Sequence, residues 1–506
     1  MRTAARRFVL LAALLAPPLA GQAVERTDTP RAGSLRATFD PRIMTWERIY
    51  LPGGRQFLGA GLTGDSVGAA IPSIATLQSN VRTLTGLSGY LASLGKGLLG
   101  IRAERRTMPI ALELGITNRL SVSLSVPIVR VQVRKHLQLD STEANLGLNP
   151  LLANPVDSTT YNAFFAALGG ALQELSDSIT GGHYGCPGSA QCIQAQALLA
   201  RGQALQTGLF RMLHPLLGEP PVLFLPRTGS DAGHAIDSLV SGVGQDLTGF
   251  NIASFAQTFE LPADPASATN VSAVLSNPDF GYGIRPFVDT PRRLRFFTGD
   301  VEVSTKYRVV ESRNYAAAVG VLVRLPTGHQ ASANDPFDIS TGDHQTDVEG
   351  QLIQELTLWQ HLWLNLNIRA GMQLAGYRER RLAPFGETFA LGPPLRFRWD
   401  PGDYLAVDVA PMMRLSQTFA AGFTAGYYTQ GADHYSNTAA SPTFIPAAVL
   451  DAGTAERRLR LGVAWTYTGP TMEGGFSIEQ TVSGAGAPVP VATVFRIVIR
   501  VTKPLF

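Results

Sequence analysis

The chain has 506 residues, of which 16% are charged, and its formal net charge at pH 7 is +3. A basic excess this small and this dispersed gives no reason to expect a nucleic-acid partner. No uninterrupted apolar run reaches the roughly 20 residues that a transmembrane helix needs. The composition therefore leaves two classes of protein, a soluble one and a β-barrel that meets lipid with its strands.

The N-terminal segment has the three parts of a secretory signal peptide. MRTAARR is basic, FVLLAALLAPPLA is a short apolar stretch, and small residues precede a cut after Ala23 or, as the alternative, after Ala20. A membrane anchor is the other interpretation, but the apolar stretch is shorter than a spanning helix requires. We therefore predict a signal peptide over 1–23 and an exported protein.

Alternation with period two is the main structural signal along the chain. In LWLNLNIRAGMQLAG, Leu364, Leu366 and Ile368 fall on one face, whereas Asn365 and Asn367 fall on the other. A barrel strand in a membrane needs an apolar face for lipid and a polar face for the interior. The alternating segments are about 10 to 18 residues long, as in tilted membrane crossings, whereas strands of soluble proteins average about 5 to 6. Short turns also alternate with long loops, which is typical of outer-membrane barrels.

The predicted fold is all-β, a transmembrane antiparallel up-and-down β-barrel of twelve strands, with fourteen as the alternative. In chain order the strands are 34–49, 107–116, 119–136, 298–312, 315–327, 346–359, 361–378, 403–414, 417–430, 454–468, 471–484 and 489–506. An even number places both termini of the chain on the periplasmic side. The segment 388–399 is assigned to an outer loop or strand extension, because Pro393 and Pro394 would interrupt its hydrogen-bond ladder.

Three details of these strands are also predicted. In 119–136 the alternation changes phase at Pro127, so a β-bulge is expected there. Trp359 and Trp363 flank a short turn and are expected to belong to an aromatic girdle at the membrane boundary. In the closing strand the terminal Phe506 falls on the opposite parity from the lipid-facing stripe.

The chain from 24–506 is predicted to be a single outer-membrane β-barrel domain with helical inserts at 50–106 and 137–297. Apolar residues at spacings of three and four indicate amphipathic helices in both inserts. These helical stripes lie within 70–100, 159–178 and 193–213. Such helices can cap the barrel in its extracellular loops, enter it as a plug, or form a hydrophobic vestibule.

The two cysteines, Cys186 and Cys192, are separated by PGSAQ. In an exported protein this spacing predicts one local disulfide that closes a loop. Two cysteines without a nearby pair of histidines would hold zinc poorly. We therefore expect neither a metal nor a cofactor.

The faces predicted to be interior carry charges of both signs. The lumen-lining candidates are Glu302, Lys306, Arg308, Arg324, Glu355, Arg369, Asp408, Arg458, Arg460, Glu473 and Glu479. Arg496 and Arg500 of the closing strand are expected to point inward as well. Mixed signs suit salt-bridge networks in a closed interior, or a pore without strong ion selectivity, because a selective ring concentrates one sign.

Catalytic and metal-binding motifs are weak in this sequence. GDSVG at 64–68 matches a nucleophile elbow but lacks the strand, sharp turn and helix that this chemistry requires. HYSN at His434–Asn437 lies in a long loop, without the register that would set a serine and a histidine against lipid. DPFDISTGDHQTD lacks the spacing of a calcium loop, so a solvated outer loop is expected. The acidic residues of that loop are Asp335, Asp338, Asp343 and Asp347.

The order of several motifs resembles one known family. GDVEVSTKYRVV is followed by AAAVGVLVRLPTGHQ, a long loop and LWLNLNIRAG, and LELGITNRLSVSLSVPIV is similar to an early hairpin. Together they resemble the outer-membrane β-barrel family associated with the meta pathway of phenol degradation. The resemblance covers 107–133, 298–376 and the last strands, and it implies a transporter for aromatic or other hydrophobic compounds. The 137–297 insert is larger than this family leads us to expect, and no binding residue can be transferred.

These observations predict a channel in the bacterial outer membrane that takes up small, hydrophobic or aromatic solutes passively. Such a protein is not an enzyme. Its expected partners are outer-membrane lipid and lipopolysaccharide, the barrel-assembly machinery through the C-terminal strand, and the solute itself. The alternatives are a structural or adhesive surface barrel with a closed lumen and, more distantly, an outer-membrane lipolytic enzyme that uses Ser66.

Overall fold

The structure is a computed structural model of the chain. It describes residues 25–51, 53–60, 63–65, 71–153, 158–214, 222–253, 255, 257–285, 296–335, 337–359, 361–381, 392–439, 447–451, 453–469 and 472–505. The predicted signal peptide, Ser66 and Phe506 lie outside these ranges.

The described residues form 22 strands, six α-helices and a short 3-10 helix at Ala447–Asp451. The strands are β1 Ser34–Phe39, β2 Arg42–Trp46, β3 Arg48–Leu51, β4 Gly54–Phe57, β5 Lys96–Gly115, β6 Leu120–Asp140, β7 Leu146–Leu148, β8 Phe224–Pro226, β9 Phe296–Thr298, β10 Glu302–Glu311, β11 Tyr315–Arg324, β12 Asp347–Trp359, β13 Leu362–Gln373, β14 Gly376–Arg381, β15 Pro394–Asp400, β16 Tyr404–Arg414, β17 Phe419–Gln430, β18 His434–Asn437, β19 Glu456–Thr468, β20 Met472–Gly486, β21 Val489–Pro490 and β22 Thr493–Pro504. The helices are α1 Pro72–Thr85, α2 Pro150–Ala153, α3 Ser158–Thr180, α4 Ala190–Leu213, α5 Asp231–Gly249 and α6 Ala268–Ser276.

The long strands form one closed antiparallel sheet. Its order is β1, β5, β6, β10, β11, β12, β13, β16, β17, β19, β20 and β22, and β1 pairs with both β5 and β22. β2 continues β1 after a break at Asp40 and Pro41, and β9 lies beside β6 just before β10. Within the described ranges the barrel therefore has twelve strands, which confirms the predicted fold and strand number. Closure gives the backbone groups of both edges a partner, as a membrane interior demands.

β6 keeps one phase along its length, so the predicted β-bulge at Pro127 is wrong. Ser121, Pro127 and Val129 all line the barrel interior. The register shift lies in the neighbouring strand, between β9 and β10, where residues 299–301 face only 126–127 of β6. The apparent change of phase arises because the outer half of β6 has apolar residues on its inward face.

β14, β15 and β18 form a separate three-stranded sheet that is not part of the barrel. Phe397, Trp399 and Tyr435 pack together in its small core. Of the segment 388–399, residues 394–399 lie in β15, outside the barrel, as expected of a segment that does not cross the membrane.

The chain divides into two compact units. One consists of Gly61–Leu99 and His136–Val288, and the other of Met1–Ala60, Gly100–Lys135 and Asp289–Phe506. In the first unit α3 packs against α4, and α1 packs against α4 and α5. None of the helices in the described ranges is long and apolar enough to cross a membrane.

The first unit has its own hydrophobic core. Phe164 contacts Phe255 and Phe259 edge to face, and the apolar faces of α3 and α4 are buried. Helices α4 and α5 begin at Ser189 and Ser230, whose hydroxyl groups accept hydrogen bonds from the first turn. The helices therefore bury their apolar faces within this unit, and their role as a cap, a plug or a vestibule stays a prediction.

The helical stripes within 159–178 and 193–213 correspond to α3 and α4, but the stripe within 70–100 is only partly helical. α1 ends at Thr85, where Gly86 takes a left-handed conformation with φ 73°. Leu98 of the predicted stripe lies in β5 and is exposed.

A disulfide joins Cys186, in the turn between α3 and α4, to Cys192 in the first turn of α4, with their Cα atoms 5.2 Å apart. This bond closes a short loop that includes the N-terminus of α4.

Candidate functional site

A belt of ion pairs crosses the interior of the barrel. Arg324 on β11 binds Glu302 on β10 and Asp347 on β12, with N–O distances of 3.1 and 2.8 Å. Arg369 on β13 binds Asp408 on β16 at 2.9 Å. These side chains meet because alternate residues of each strand face the interior.

The belt continues along the wall to the closing strands. Asp408 also lies 3.8 Å from Arg460 on β19, which lies 3.6 Å from Glu479 on β20. Arg496 on β22 binds Asp40, at the break between β1 and β2, at 2.7 Å. Most strands of the barrel therefore contribute a charge to the belt, and neighbouring charges are of opposite sign.

Two tyrosines pack within the same belt. Tyr404 on β16 donates a hydrogen bond to Glu349 on β12, and its ring stacks on that of Tyr428 on β17. The guanidinium of Arg458 lies 4.1 Å above the ring of Tyr428 and binds Glu456 at 2.8 Å. Rings and paired charges together leave a gap of only about 20 Å³ at this level.

Residues 25–33 lie at the end of the barrel where its strands are joined by short turns, and Glu25, Arg26 and Asp28 line the lumen. Arg26 binds Glu473 on β20 at 3.1 Å and lies 3.8 Å from Glu355 on β12. In the barrel order those two strands are separated by four others, β13, β16, β17 and β19, so Arg26 connects opposite walls. The backbone N–H of Thr27 also donates to Glu355, at 3.0 Å.

Further ion pairs fix the same segment. Glu25 lies 3.8 Å from Lys306 on β10 and 3.9 Å from Arg500 on β22. Asp28 binds Arg36 on β1. Burial alone would raise the pKa of Asp28, but the guanidinium groups of Arg26 and Arg36 outweigh burial and hold that pKa well below its usual range. The segment is thus held as a plug, which we call the N-terminal plug, residues 25–33.

The loop 325–346 between β11 and β12 also folds inward. Ile339 and Thr341 are buried, and Thr341 lines the lumen. Asp335 binds Lys135 on β6 at 2.6 Å and is itself buried. The prediction of a solvated outer loop is therefore wrong, because this loop lies against the barrel wall.

Two cavities inside the barrel border the N-terminal plug. The first, of about 200 Å³, is lined mainly by β1, β5, β6 and β10. The second, of about 270 Å³, is lined by β12, β13, β16, β17, β19, β20 and β22. We call the second the Trp363 cavity, since Trp363, Asn365, Arg414 and Ser477 border it. Arg26 borders both cavities, so the plug lies between them.

The outer face of the barrel is apolar, in contrast to this interior. Phe423 is 70% exposed, Ile497 47% and Trp465 45%, and each projects from a barrel strand away from the ion pairs. A soluble protein rarely exposes an apolar surface this extensive, whereas a membrane barrel must present one to lipid. The chain is a bacterial outer-membrane β-barrel.

Comparison with known structures gives neighbours among outer-membrane proteins. One is an outer membrane channel from Pseudomonas putida F1, with 7% identity, 95% of this chain and 100% of that chain covered, and a TM-score of 0.43. Others are the Pseudomonas putida toluene transporter TodX (10% identity, 99% and 97% covered, TM-score 0.31) and a Pseudomonas aeruginosa FadL homologue (6%, 98% and 98%, 0.28). No family model and no curated protein matches the chain. Likeness at this level carries no argument about substrate, and the link to the meta pathway stays a prediction.

All eleven lumen-lining candidates lie on inward-facing positions, and each takes part in an ion pair. The eleven paired residues are Glu302, Lys306, Arg308, Arg324, Glu355, Arg369, Asp408, Arg458, Arg460, Glu473 and Glu479. Their role in permeation stays a prediction. The sequence interpretation missed the charges of the N-terminal plug, which has no strand periodicity, and Asp40, which lies in a poorly alternating segment.

Trp363 is not part of an aromatic girdle, and that prediction is wrong for this residue. Its ring faces the lumen and packs against the buried cluster of Ala410, Met412, Ala420 and Ala464. Trp359, by contrast, is 70% exposed at the short-turn end. The parity of β13 decides the difference, because Trp363 shares the face of Asn365.

The weak motifs gain no support as catalytic or metal sites. His434 pairs through Nδ1 with Asp451 at 3.0 Å beside the outer sheet. Over the part of the chain that the structure describes, no group of three or more His, Cys, Asp or Glu side chains is arranged to hold a metal ion.

Asp343 is expected to make the inward loop sensitive to pH. Burial, and then the nearby carboxylate of Asp347, raise the pKa of Asp343 to about 6 from an ordinary value of 3.8, although Arg378 opposes this. An acid whose pKa is raised by folding stabilises the folded state fully below its unfolded pKa and loses that contribution as the pH rises through the folded value. The wild type should therefore lose stability between pH 3.8 and about 6.

The substitution Asp343→Asn is expected to remove this loss while preserving side-chain size. Two pH units correspond to about 3 kcal/mol, so the difference in unfolding free energy between variant and wild type should grow by up to that amount across the interval. Urea unfolding at a series of pH values, followed by heat-modifiable gel migration, measures it. Parallel curves for the two proteins would show that Asp343 does not titrate in this range.

Proposed function

We propose that this protein is a channel for the passive uptake of small solutes of hydrophobic or aromatic character, closed at rest by the N-terminal plug. The proposal is carried by the Trp363 cavity, a space of about 270 Å³ inside the barrel that combines an indole ring with polar side chains. Passive movement through a lumen needs no cofactor. A solute would pass once the plug and the belt rearrange.

The composition of the lumen supports transport over a purely structural role. Protein interiors are normally close-packed, and their buried polar groups are hydrogen-bonded. Here two cavities remain inside the barrel, and the buried side chains of Asn365 and Ser477 have no partner. A barrel that served only as a scaffold would gain stability from filling these spaces.

The second candidate is a structural or adhesive barrel with a permanently closed lumen. It is favoured by the ion pairs of all eleven lumen-lining candidates and by the narrow gap within the belt. The N-terminal plug distinguishes the two, because a barrel sealed by its belt would not need ion pairs from Arg26 to opposite walls.

The test is the swelling of proteoliposomes in small polar solutes, which do not cross lipid unaided. Wild type is expected to swell slowly but above protein-free liposomes, and the triple variant Glu25→Ala, Arg26→Ala, Asp28→Ala is expected to swell faster. Heat-modifiable gel migration establishes that both are folded. If the wild type and the triple variant are both folded and inserted but pass no solute, the protein is instead a structural or adhesive barrel with a closed lumen.

A further inference from the structure

We propose that the Trp363 cavity is a binding site for a small aromatic anion, with a benzoate as the simplest probe. The inference deepens the proposed function and rests on it, since it names the class of solute that the lumen would hold. A cavity of roughly 150 Å³ can hold one benzene. At about 270 Å³ the Trp363 cavity has room for a substituted ring and its bound water.

One wall of the cavity provides an aromatic surface. Trp363 is inward-facing, and the alanines Ala420 and Ala464 beside it are small. Where the indole borders the cavity, a second ring can stack on it in an offset arrangement. The apolar part of a ligand would therefore lie against Trp363.

The same cavity holds polar groups that lack partners. Asn365 is 5% exposed, and neither its amide nitrogen nor its amide oxygen has a hydrogen-bond partner. Ser477 is 1% exposed, and its hydroxyl also has none. Leaving such groups unsatisfied is unfavourable, so they indicate a ligand or water that completes them. A pure hydrocarbon would leave them unsatisfied.

The charges around the cavity favour a negative ligand. Four arginines and two glutamates border it. Arg26, Arg496 and Arg500 bind carboxylates of the protein, whereas Arg414 has no carboxylate partner within the described ranges. The guanidinium of Arg414 lies 5.7 Å from the centre of the Trp363 ring. A carboxylate on a ring stacked at Trp363 would thus lie within reach of an available guanidinium, which binds carboxylates strongly.

The experiment is a fluorine NMR titration of the full chain in detergent. The probes are para-fluorobenzoate and para-fluorobenzyl alcohol, a neutral ring of similar size. We expect the benzoate to bind more tightly than the alcohol. Arg414→Gln should lower the affinity for the benzoate about tenfold, as for loss of a charge-assisted hydrogen bond. The affinity for the alcohol should not change. Its control is Arg313→Gln, because Arg313 is exposed in another turn at the same end.

A second variant tests the polar contacts without removing a charge. Ser477→Ala should lower the affinity for both probes. Ser483→Ala, at an exposed position of the same strand, should leave both affinities unchanged. Removing an unpartnered hydroxyl should not unfold the barrel, and gel migration checks this. If neither probe binds, if the two bind equally, or if binding is unchanged in Arg414→Gln and Ser477→Ala, the proposal is wrong.

This readout is independent of flux. If benzoate binds but the barrel passes no solute, the binding site is supported and the channel function is wrong. If proteoliposomes swell but benzoate does not bind, the channel function is supported and the binding site is wrong.

Discussion

Alanine in place of Arg26 is expected to raise the open probability of the barrel about tenfold or more in planar-bilayer recordings. Hydrogen bonds to charged groups contribute roughly 1.5 to 3 kcal/mol, and each 1.4 kcal/mol corresponds to a factor of ten. Arg26 binds Glu473 and lies near Glu355 on the opposite wall, so its loss removes the contact that spans the lumen. Without the arginine between them, the negative charges of the two glutamates repel each other, which further disfavours the closed state.

Arg31→Ala provides the matched control for this experiment. Arg31 belongs to the same segment, but its side chain is exposed, so the same change of charge should leave the currents near the wild-type level. High salt should raise the wild-type open probability, since it weakens partly exposed ion pairs. Equal currents for Arg26→Ala and Arg31→Ala would show that the plug does not control the lumen.

The barrel could be predicted from the sequence because period two is a local signal. A strand such as β13 shows its interior face in Asn365, Asn367 and Arg369, without reference to any other part of the chain. The same reasoning misassigned the beginning of β5, where Leu99, Ile101 and Ala103 alternate as a strand does. Leucines at helical spacings in the preceding segment concealed that shorter signal.

The plug and the inward loop could not be predicted in this way, because their structure depends on distant contacts. Arg26 meets Glu473, which lies 447 residues further along the chain. Asp335 lies in a sequence rich in polar residues that is typical of solvated loops, yet Lys135 holds it inside. Only the closed barrel brings these partners together, so their contacts cannot be predicted from the local pattern or composition of the sequence.

The substitution Asp408→Ala is expected to lower the free energy of unfolding by about 3 kcal/mol. That is the lower end of the range for breaking a buried ion pair, and the reason is that part of the belt remains. Asp408 lies between Arg369 and Arg460, both almost fully buried. After the substitution Arg369 keeps only a longer contact, to Glu349 at 4.0 Å, and Arg460 keeps only its contact with Glu479 at 3.6 Å. The remaining positive charges are then under-compensated in the interior.

Glu311→Ala separates this effect from a general loss of negative charge. Glu311 binds Arg308 at 2.8 Å, but 55% of its side chain is exposed, and such pairs contribute about 1 kcal/mol or less. Urea unfolding in bilayers, followed by heat-modifiable gel migration, measures both variants under one condition. A loss in Asp408→Ala no larger than that in Glu311→Ala would mean that water enters the belt and compensates its charges. In that case the belt would be a hydrated passage and not a closed layer of the barrel.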